Sequence, residues 1–291
     1  MSKSSFYDSL FGLNEVTVES AKEKGIPIQD ISPDELKEFK GHPFKVKENK
    51  EFESLKESIR KFGILEPIIA RKGKNGYEII SGHRRTTAAK SLGLKKVPVI
   101  ITDLDDDLAK IMVVDANKYR KQFDPSEMAF AFKMRYEAEK HRGKSMGDGE
   151  RTAESIGKDY GHSQRSVYNY MKLTQLLPVL LRFVDEKKLG CSTATELAEL
   201  SEDMQQLILD EYFETGRLPG RNEAKQLREK SIFDRQWLKD IFEKEERPEK
   251  EKLSMSMIDR YFPEDYTDSE KMEVLEELLE AWSKERTGRT L

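Results

Sequence analysis

The stretch Tyr77-Glu78-Ile79-Ile80-Ser81-Gly82-His83-Arg84-Arg85-Thr86-Thr87-Ala88-Ala89-Lys90-Ser91-Leu92 decides the fold of the first third of the chain. Tyr77 to Ile80 has the aromatic and β-branched composition of a strand. Thr86 to Leu92 carries two alanines and reads as a helix. The corner between them, Ser81-Gly82-His83-Arg84-Arg85-Thr86, makes an anion cradle. The glycine permits a tight turn and close backbone approach. The free N–H groups and dipole of the first helical turn favour negative charge. Arg84 and Arg85 add fork-shaped donors suited to phosphate. The same residues also fit a plain strand–turn–helix corner with two solvated arginines, because a motif this short decides nothing alone.

Working outward, residues 26–122 alternate short strands and helices. Ile26 to Ile31 reads as a strand. Ser32-Pro33-Asp34-Glu35 reads as a short capped turn or helix. Glu51 to Phe62 is amphipathic, with Phe52, Leu55, Ile59 and Phe62 on one face, and Gly63 ends it. Ile68-Ile69-Ala70 and Tyr77-Glu78-Ile79-Ile80 flank Lys72-Gly73-Lys74-Asn75-Gly76, a hairpin sequence, and Val97 to Ile101 is another strand. This is a small α/β domain. Residues 1–25 show little periodicity and are expected to be a flexible segment. Its patch Phe6, Tyr7, Leu10, Phe11 and Leu13 serves either as a docking peptide or as a tuck onto the body.

From Leu108 to Leu227 the pattern is helical. Asp124-Pro125-Ser126-Glu127 is a start signal for a long helix, and Arg142 to Gly149 is a basic Gly/Ser loop. Thr152 to Leu173 fits a helix-turn-helix. The first helix is expected over Thr152–Tyr160, with Gly157 where the helices approach and Gly161 in the turn. Ser163 caps a second helix, Gln164–Leu176, whose Val167 and Tyr170 pack back. That helix exposes Gln164, Arg165, Ser166, Asn169 and Lys172. Gln and Asn suit adenine edges and Arg suits guanine, and the N-terminal residues of a second helix make base contacts. An ordinary helical hairpin with polar outer faces is the competing reading. Short helices continue through residues 187–230, which gives a helical domain over 123–230. An acidic helical region follows over 231–291, whose apolar stripe from Met257 to Trp282 is either a small core or a self-association surface.

The 291 residues are enough for two or three domains. Hydrophobic and charged contents are each 36%, which suits large solvated faces. No apolar run approaches the ~20 residues of a membrane span, and no apolar signal core opens the chain. Cys191 is the single cysteine, so no intrachain disulfide or cysteine zinc cluster forms, as expected of a cytoplasmic protein. The net charge of −4 is unevenly spread. Residues 60–100 carry +8 and residues 133–190 carry +4, whereas residues 191–291 carry −10. Polyanions are therefore expected on the first two-thirds of the chain.

Gly82-His83-Arg84-Arg85-Thr86-Thr87-Ala88 resembles the Gly-Glu-Arg-Arg-x-x-Ala signature of the ParB partition family. Other landmarks follow in order: His42-Pro43-Phe44, the helix, turn and strand from Glu53 to Ile69, Asn117-Lys118-Tyr119-Arg120, and Asp124-Pro125-Ser126-Glu127. The likeness spans about residues 26 to 230. It implies a ParB/sulfiredoxin-like N-terminal domain over 26–122, a DNA-binding helix-turn-helix, and CTP with Mg²⁺ in a protein that closes as a clamp. Ser81, Gly82, His83, Arg84, Arg85 and Thr86 would then hold the triphosphate, with Asn117 and Arg120 completing the site and Asn117 on the metal. Double-stranded DNA with a palindromic site, a ParA-type ATPase and a second copy of the chain are the implied partners, on a nucleoid or plasmid. DNA contacts would come from Ser163, Gln164, Arg165, Ser166, Asn169 and Lys172.

The chain departs from the signature at three places. His83 stands for the glutamate, Ala116 for the glutamate before Asn117, and Lys45-Val46-Lys47 for Gln-Pro-Arg. Mg²⁺ prefers carboxylate oxygen, so metal-dependent hydrolysis is not expected to be strong. The competing function is a helix-turn-helix transcriptional regulator on the same scaffold, without nucleotide-driven spreading. Sulfiredoxin chemistry needs a cysteine where His83 stands. A nuclease needs carboxylates clustered for metal, and Asp103, Asp105, Asp106 and Asp107 read as a solvated turn.

Overall fold

The computed structural model describes residues 16–74, 76–118, 120, 122–142, 149–244, 259–263 and 265–287. These fall into two compact units, residues 1–239 and 240–291. The apolar patch expected at Phe6 to Leu13, most of the basic Gly/Ser loop, and Met257 of the C-terminal stripe lie outside the described residues.

The first unit opens with helix α1 (Val18–Glu23), where no periodicity was expected. Thr17 and Ser20 cap it reciprocally. The amide of Ile26 returns to the Ala21 carbonyl at 2.9 Å. That closure, with Pro27 behind it, delays the first strand to Gln29–Ile31 (β1) instead of Ile26. A 3-10 turn over Pro33–Glu35 leads to β2 (Leu36–Lys37). Helix α2 (Lys50–Phe62) is capped by the Asn49 side chain. The hairpin β3 (Ile68–Gly73) and β4 (Gly76–Ser81) runs into α3 (His83–Ser91), and β5 (Val97–Thr102) follows.

The five strands lie in the order β1-β5-β3-β4-β2. β3 pairs antiparallel with β4 and parallel with β5, so the α3 crossover returns the chain to the same sheet. Alternation along the strands divides the core. Ile68, Ala70 and Ile79 pack with Phe52, Ile59, Ala88 and Ala89, and Ile69 and Ile80 pack with Leu108, Met112 and Val113. The second group belongs to helix α4 (Asp106–Asp115). The aspartates expected in a solvated turn start that helix: Asp105 caps the Leu108 amide, and Asp106 pairs with Arg71 at 2.7 Å.

The helical part comprises α5 (Pro125–His141), α6 (Gly149–Tyr160), α7 (Gln164–Leu173), α8 (Pro178–Asp185), α9 (Cys191–Leu197), α10 (Glu202–Thr215), α11 (Arg221–Lys230) and α12 (Arg235–Lys244). The α/β fold followed by helix-turn-helix and further helices is as expected. Helix α7 stops three residues earlier than its periodicity suggested. The amides of Gln175 and Leu176 turn to the Lys172 and Leu173 carbonyls, and Pro178 opens α8. In the second unit, helix α13 (Asp268–Thr287) exposes Met272, Leu278, Leu279 and Trp282, so these four form no closed core there. No helix among the described residues is long and apolar enough to cross a membrane.

Candidate nucleic-acid interface and anion corner

Helices α6 and α7 are set by a pinch and a turn. An added Cβ on Gly157 would lie 2.5 Å from the His162 carbonyl oxygen, so only glycine lets the turn backbone cross α6 this closely. Gly161 turns with φ of 70°. The Ser163 hydroxyl accepts from the Ser166 amide and caps α7. Val167 is buried with Met128, Phe132, Ala153 and Ile156. Tyr170 packs edge-on against Phe132 and His162, at 5.7 Å and 5.4 Å between ring centres.

The outer face of α7 carries exposed Arg165, with Ser166 and Asn169 half-exposed beside it. Gln164 is half-exposed and already takes part in a contact. Lys172 is turned toward Glu199, which also faces Arg228 at 3.9 Å. It is therefore held on the side where α7 meets the end of α9 rather than at the N-terminal tip of α7.

The anion corner is built on Gly82, the N-cap of α3. Its φ of 101° lies in the left-handed region, and an added Cβ would lie 3.2 Å from Ile68 Cγ1. No side chain caps this helix end, so its first amides are left unsatisfied by the helix itself. Thr86 is buried and its hydroxyl donates back to the Gly82 carbonyl at 3.1 Å. The two arginines diverge. Arg84 is exposed, with Glu51 3.8 Å away. Arg85 is mostly buried and donates to the Glu66 and Pro67 carbonyls at 2.5 Å and 3.0 Å. Burial pulls its guanidinium below the usual value, against the Glu66 carboxylate. Arg85 thus ties α3 to the loop before β3, and Arg84 is the one left exposed at the corner.

His83 stacks on His42, ring centres 3.7 Å apart. Burial and the neighbouring His42 ring push the His83 imidazole down to about 3. Burial also lowers His42, against the Phe44 carbonyl that its Nδ1 meets at 2.8 Å. The Nε2 atoms of both rings are buried without a hydrogen-bond partner.

Asn117 and Arg120 are occupied by the fold. The Asn117 amide donates to the Val113 carbonyl at 3.0 Å. Arg120 pairs with Glu127 at 3.1 Å and lies over the Phe123 ring. Glu127 is a hub that sequence reasoning treated only as a helix-start residue. Fully buried, it also accepts from the Lys45 and Asp124 amides at 2.9 Å and 3.1 Å. Its only sequence signal was the capping-box spacing from Asp124. The Mg²⁺ implied by the resemblance does not fit these residues. Ala116 offers no oxygen side chain, Asp115 is held 2.5 Å from Arg135, and Asn117 is turned to its own helix. Among the described residues no group of three or more His, Cys, Asp or Glu side chains could hold a metal.

A second ionic cluster joins α4, α5 and α6. Buried Arg135 meets Asp115, Glu139 and Asp159 at 2.5 Å, 2.9 Å and 2.6 Å, and Lys118 meets Asp159 at 2.9 Å. Three carboxylates share two cations there. Burial pushes the Asp115 carboxyl up to about 6, against the pull of Arg135.

Comparison with known proteins agrees with this architecture. The ParB N-terminal domain model matches residues 16–118 and the ParB HTH domain model matches residues 138–219. A nucleoid occlusion protein of Listeria monocytogenes serotype 4a is 28% identical over 209 residues, 70% of this chain and 69% of that protein. The chromosome-partitioning protein Spo0J of Thermus thermophilus is 32% identical over 167 residues, 56% of this chain and 58% of that protein. Two crystal structures of C-terminally truncated ParB from Caulobacter crescentus are also similar. The complex with the centromeric parS site has a TM-score of 0.41 and 24% identity, covering 69% of this chain and 99% of that one. The complex with CTP-γ-S has a TM-score of 0.31 and 26% identity, covering 62% and 96%. With an N-terminal ParB domain and a ParB helix-turn-helix domain in the expected order, the chain belongs to the ParB family.

Proposed function

We propose that this ParB-like DNA-binding protein is a sequence-specific partition protein. It lays α7 in the major groove of a palindromic, centromere-like site and loads as a clamp under the control of CTP at the α3 corner. The observation that carries the reading is the α6–α7 pair: a glycine pinch at Gly157 and a serine-capped α7 that leads with Arg165, Ser166 and Asn169. Such a tip reads base edges, and two copies would read two half-sites. The exposed stripe of α13 is the surface through which two copies associate, and a ParA-type ATPase is the partner that moves the complex.

The CTP assignment rests on the uncapped α3 start, Gly82 and exposed Arg84. Repeated selection from a random duplex pool tests the DNA reading. The full chain should enrich one palindrome. Arg165→Ala with Asn169→Ala should lose that enrichment, by about 1–3 kcal/mol of discrimination per lost bidentate contact, while keeping its thermal unfolding. Equal enrichment by the double variant would refute the assignment of α7.

A further inference from the structure

The hairpin end of the sheet carries a basic cleft that belongs neither to α7 nor to the α3 corner. We infer that this cleft is a second DNA contact, holding backbone phosphates of a duplex without regard to base sequence.

The cleft has a volume of about 840 Å³ and lies where β2, the β3–β4 hairpin and the start of α4 meet. Six cations line it, Lys37, Lys40, Arg71, Lys72, Lys74 and Lys110, against three carboxylates, Glu38, Glu78 and Asp106, a balance of +3. Strand register explains why the charge is not cancelled locally. Lys37 of β2 and Arg71 of β3 both stand opposite Glu78 of β4. Neighbouring strands are ~4.8 Å apart, so both cations reach for one carboxylate. Arg71 takes it at 2.7 Å, and takes Asp106 at 2.7 Å as well. Lys110 leans on Asp107 at 3.4 Å, and six cations less four carboxylates still leave +2. Lys37, Lys40, Lys72 and Lys74 are exposed, and none has an ion pair or side-chain hydrogen bond among the described residues.

Four uncompensated amines around one concave surface repel each other, and a row of phosphates relieves that repulsion. Each lysine is a flexible, hydrated point charge, which suits phosphate oxygens and imposes no fixed fork geometry. Contacts of this kind supply affinity and orientation and carry no sequence information. The chain belongs to a DNA-binding family, so once any part of it is on a duplex the cleft meets phosphate at high effective concentration. The cleft is separate from the α3 corner. Tyr77 lines it at one end of β4, and Gly82 lies five residues on, about 17 Å away at ~3.3 Å per residue. The inference takes DNA binding from the family and needs neither the α7 assignment nor CTP.

Anisotropy titration of the full chain with a random-sequence duplex of about 30 base pairs, from about 50 to about 200 mM salt, tests it. The variants are Lys37→Ala with Lys40→Ala, Lys72→Ala with Lys74→Ala, and all four together. All four side chains are exposed, so thermal unfolding should not change. Each lysine that gives up a phosphate makes the slope of log affinity against log salt shallower by about 0.9. The fourfold variant should lose about 2 units of slope or more, so its affinity deficit should be about 16-fold larger at the low salt than at the high. Lys95→Ala with Lys96→Ala is the control. It removes the same charge as either pair, but beside the start of β3, because β5 runs parallel to β3 and the cleft lies at the end of β3. It should change the slope by less than about 0.5. An unchanged slope in the fourfold variant, or a slope lowered as much by the control pair as by a cleft pair, would overturn the inference. Tighter DNA binding by the fourfold variant would overturn it too and point to an acidic protein segment as the occupant. Failure of the chain to select any palindrome would refute the α7 reading and leave the random-sequence arm intact, so the two fail separately.

Discussion

Replacing Gly157 by alanine tests whether the helix-turn-helix is held by a backbone pinch. In a solvated helix interior, Gly→Ala gains about 0.5–1 kcal/mol from reduced chain entropy and better propensity. At Gly157 the sign reverses. The new Cβ would sit 2.5 Å from the His162 carbonyl oxygen and 3.3 Å from the Ser163 carbonyl carbon. Both are backbone atoms, so no rotamer change relieves the clash. The His162 amide is also fixed at 2.8 Å on the Gly157 carbonyl. Overpacking of this kind costs about 1–3 kcal/mol. After the propensity gain, a net loss of about 0.5–2 kcal/mol remains. For a unit of this size that lowers Tm by about 2–6 °C. Thermal unfolding followed by circular dichroism, with binding to the selected duplex alongside, reads both consequences. A variant with raised Tm and full DNA affinity would refute the pinch.

The two arginines of the corner should separate cleanly. Arg85→Ala removes donors from the Glu66 and Pro67 carbonyls and should destabilise the protein by about 1–3 kcal/mol in urea unfolding. Arg84→Ala should leave the urea midpoint unchanged and weaken CTP binding, so equal stability losses would contradict the division of roles. The Arg135 cluster predicts a pH signature. Asp115 has a folded value raised from 3.8 to about 6, so the folded state binds the extra proton. Its contribution is fully present below pH 3.8 and is lost as pH rises through about 6, at up to about 1.4 kcal/mol per unit. Asp115→Asn does not titrate, so its stability relative to wild type should grow between those values and then level off. A relative stability that shrinks with rising pH would show Arg135 prevailing over burial.

The sequence by itself determined what depends on neighbours a few residues apart. Spacing fixed the apolar face of α7, the β3–β4 hairpin, the Gly82 corner, the Gly157–Gly161 turn and the Phe52, Leu55 and Ile59 face of α2, from which Phe62 departs by standing exposed, because φ/ψ preference and side-chain periodicity act locally. It located the two arginines but could not divide their labour. Arg85 finds its partners at Glu66 and Pro67, in the loop that leads into β3 beside α3. Helix α1 escaped notice because one and a half turns show almost no period. Its caps, Thr17 and Ser20, were the available signal. Only the tertiary structure set His42 on His83, closed Glu127 over the Lys45 amide 82 residues away, and turned Lys172 to Glu199. A charged or polar side chain takes whichever partner the packed chain brings within about 3 Å, and that choice is made by the approach of distant segments.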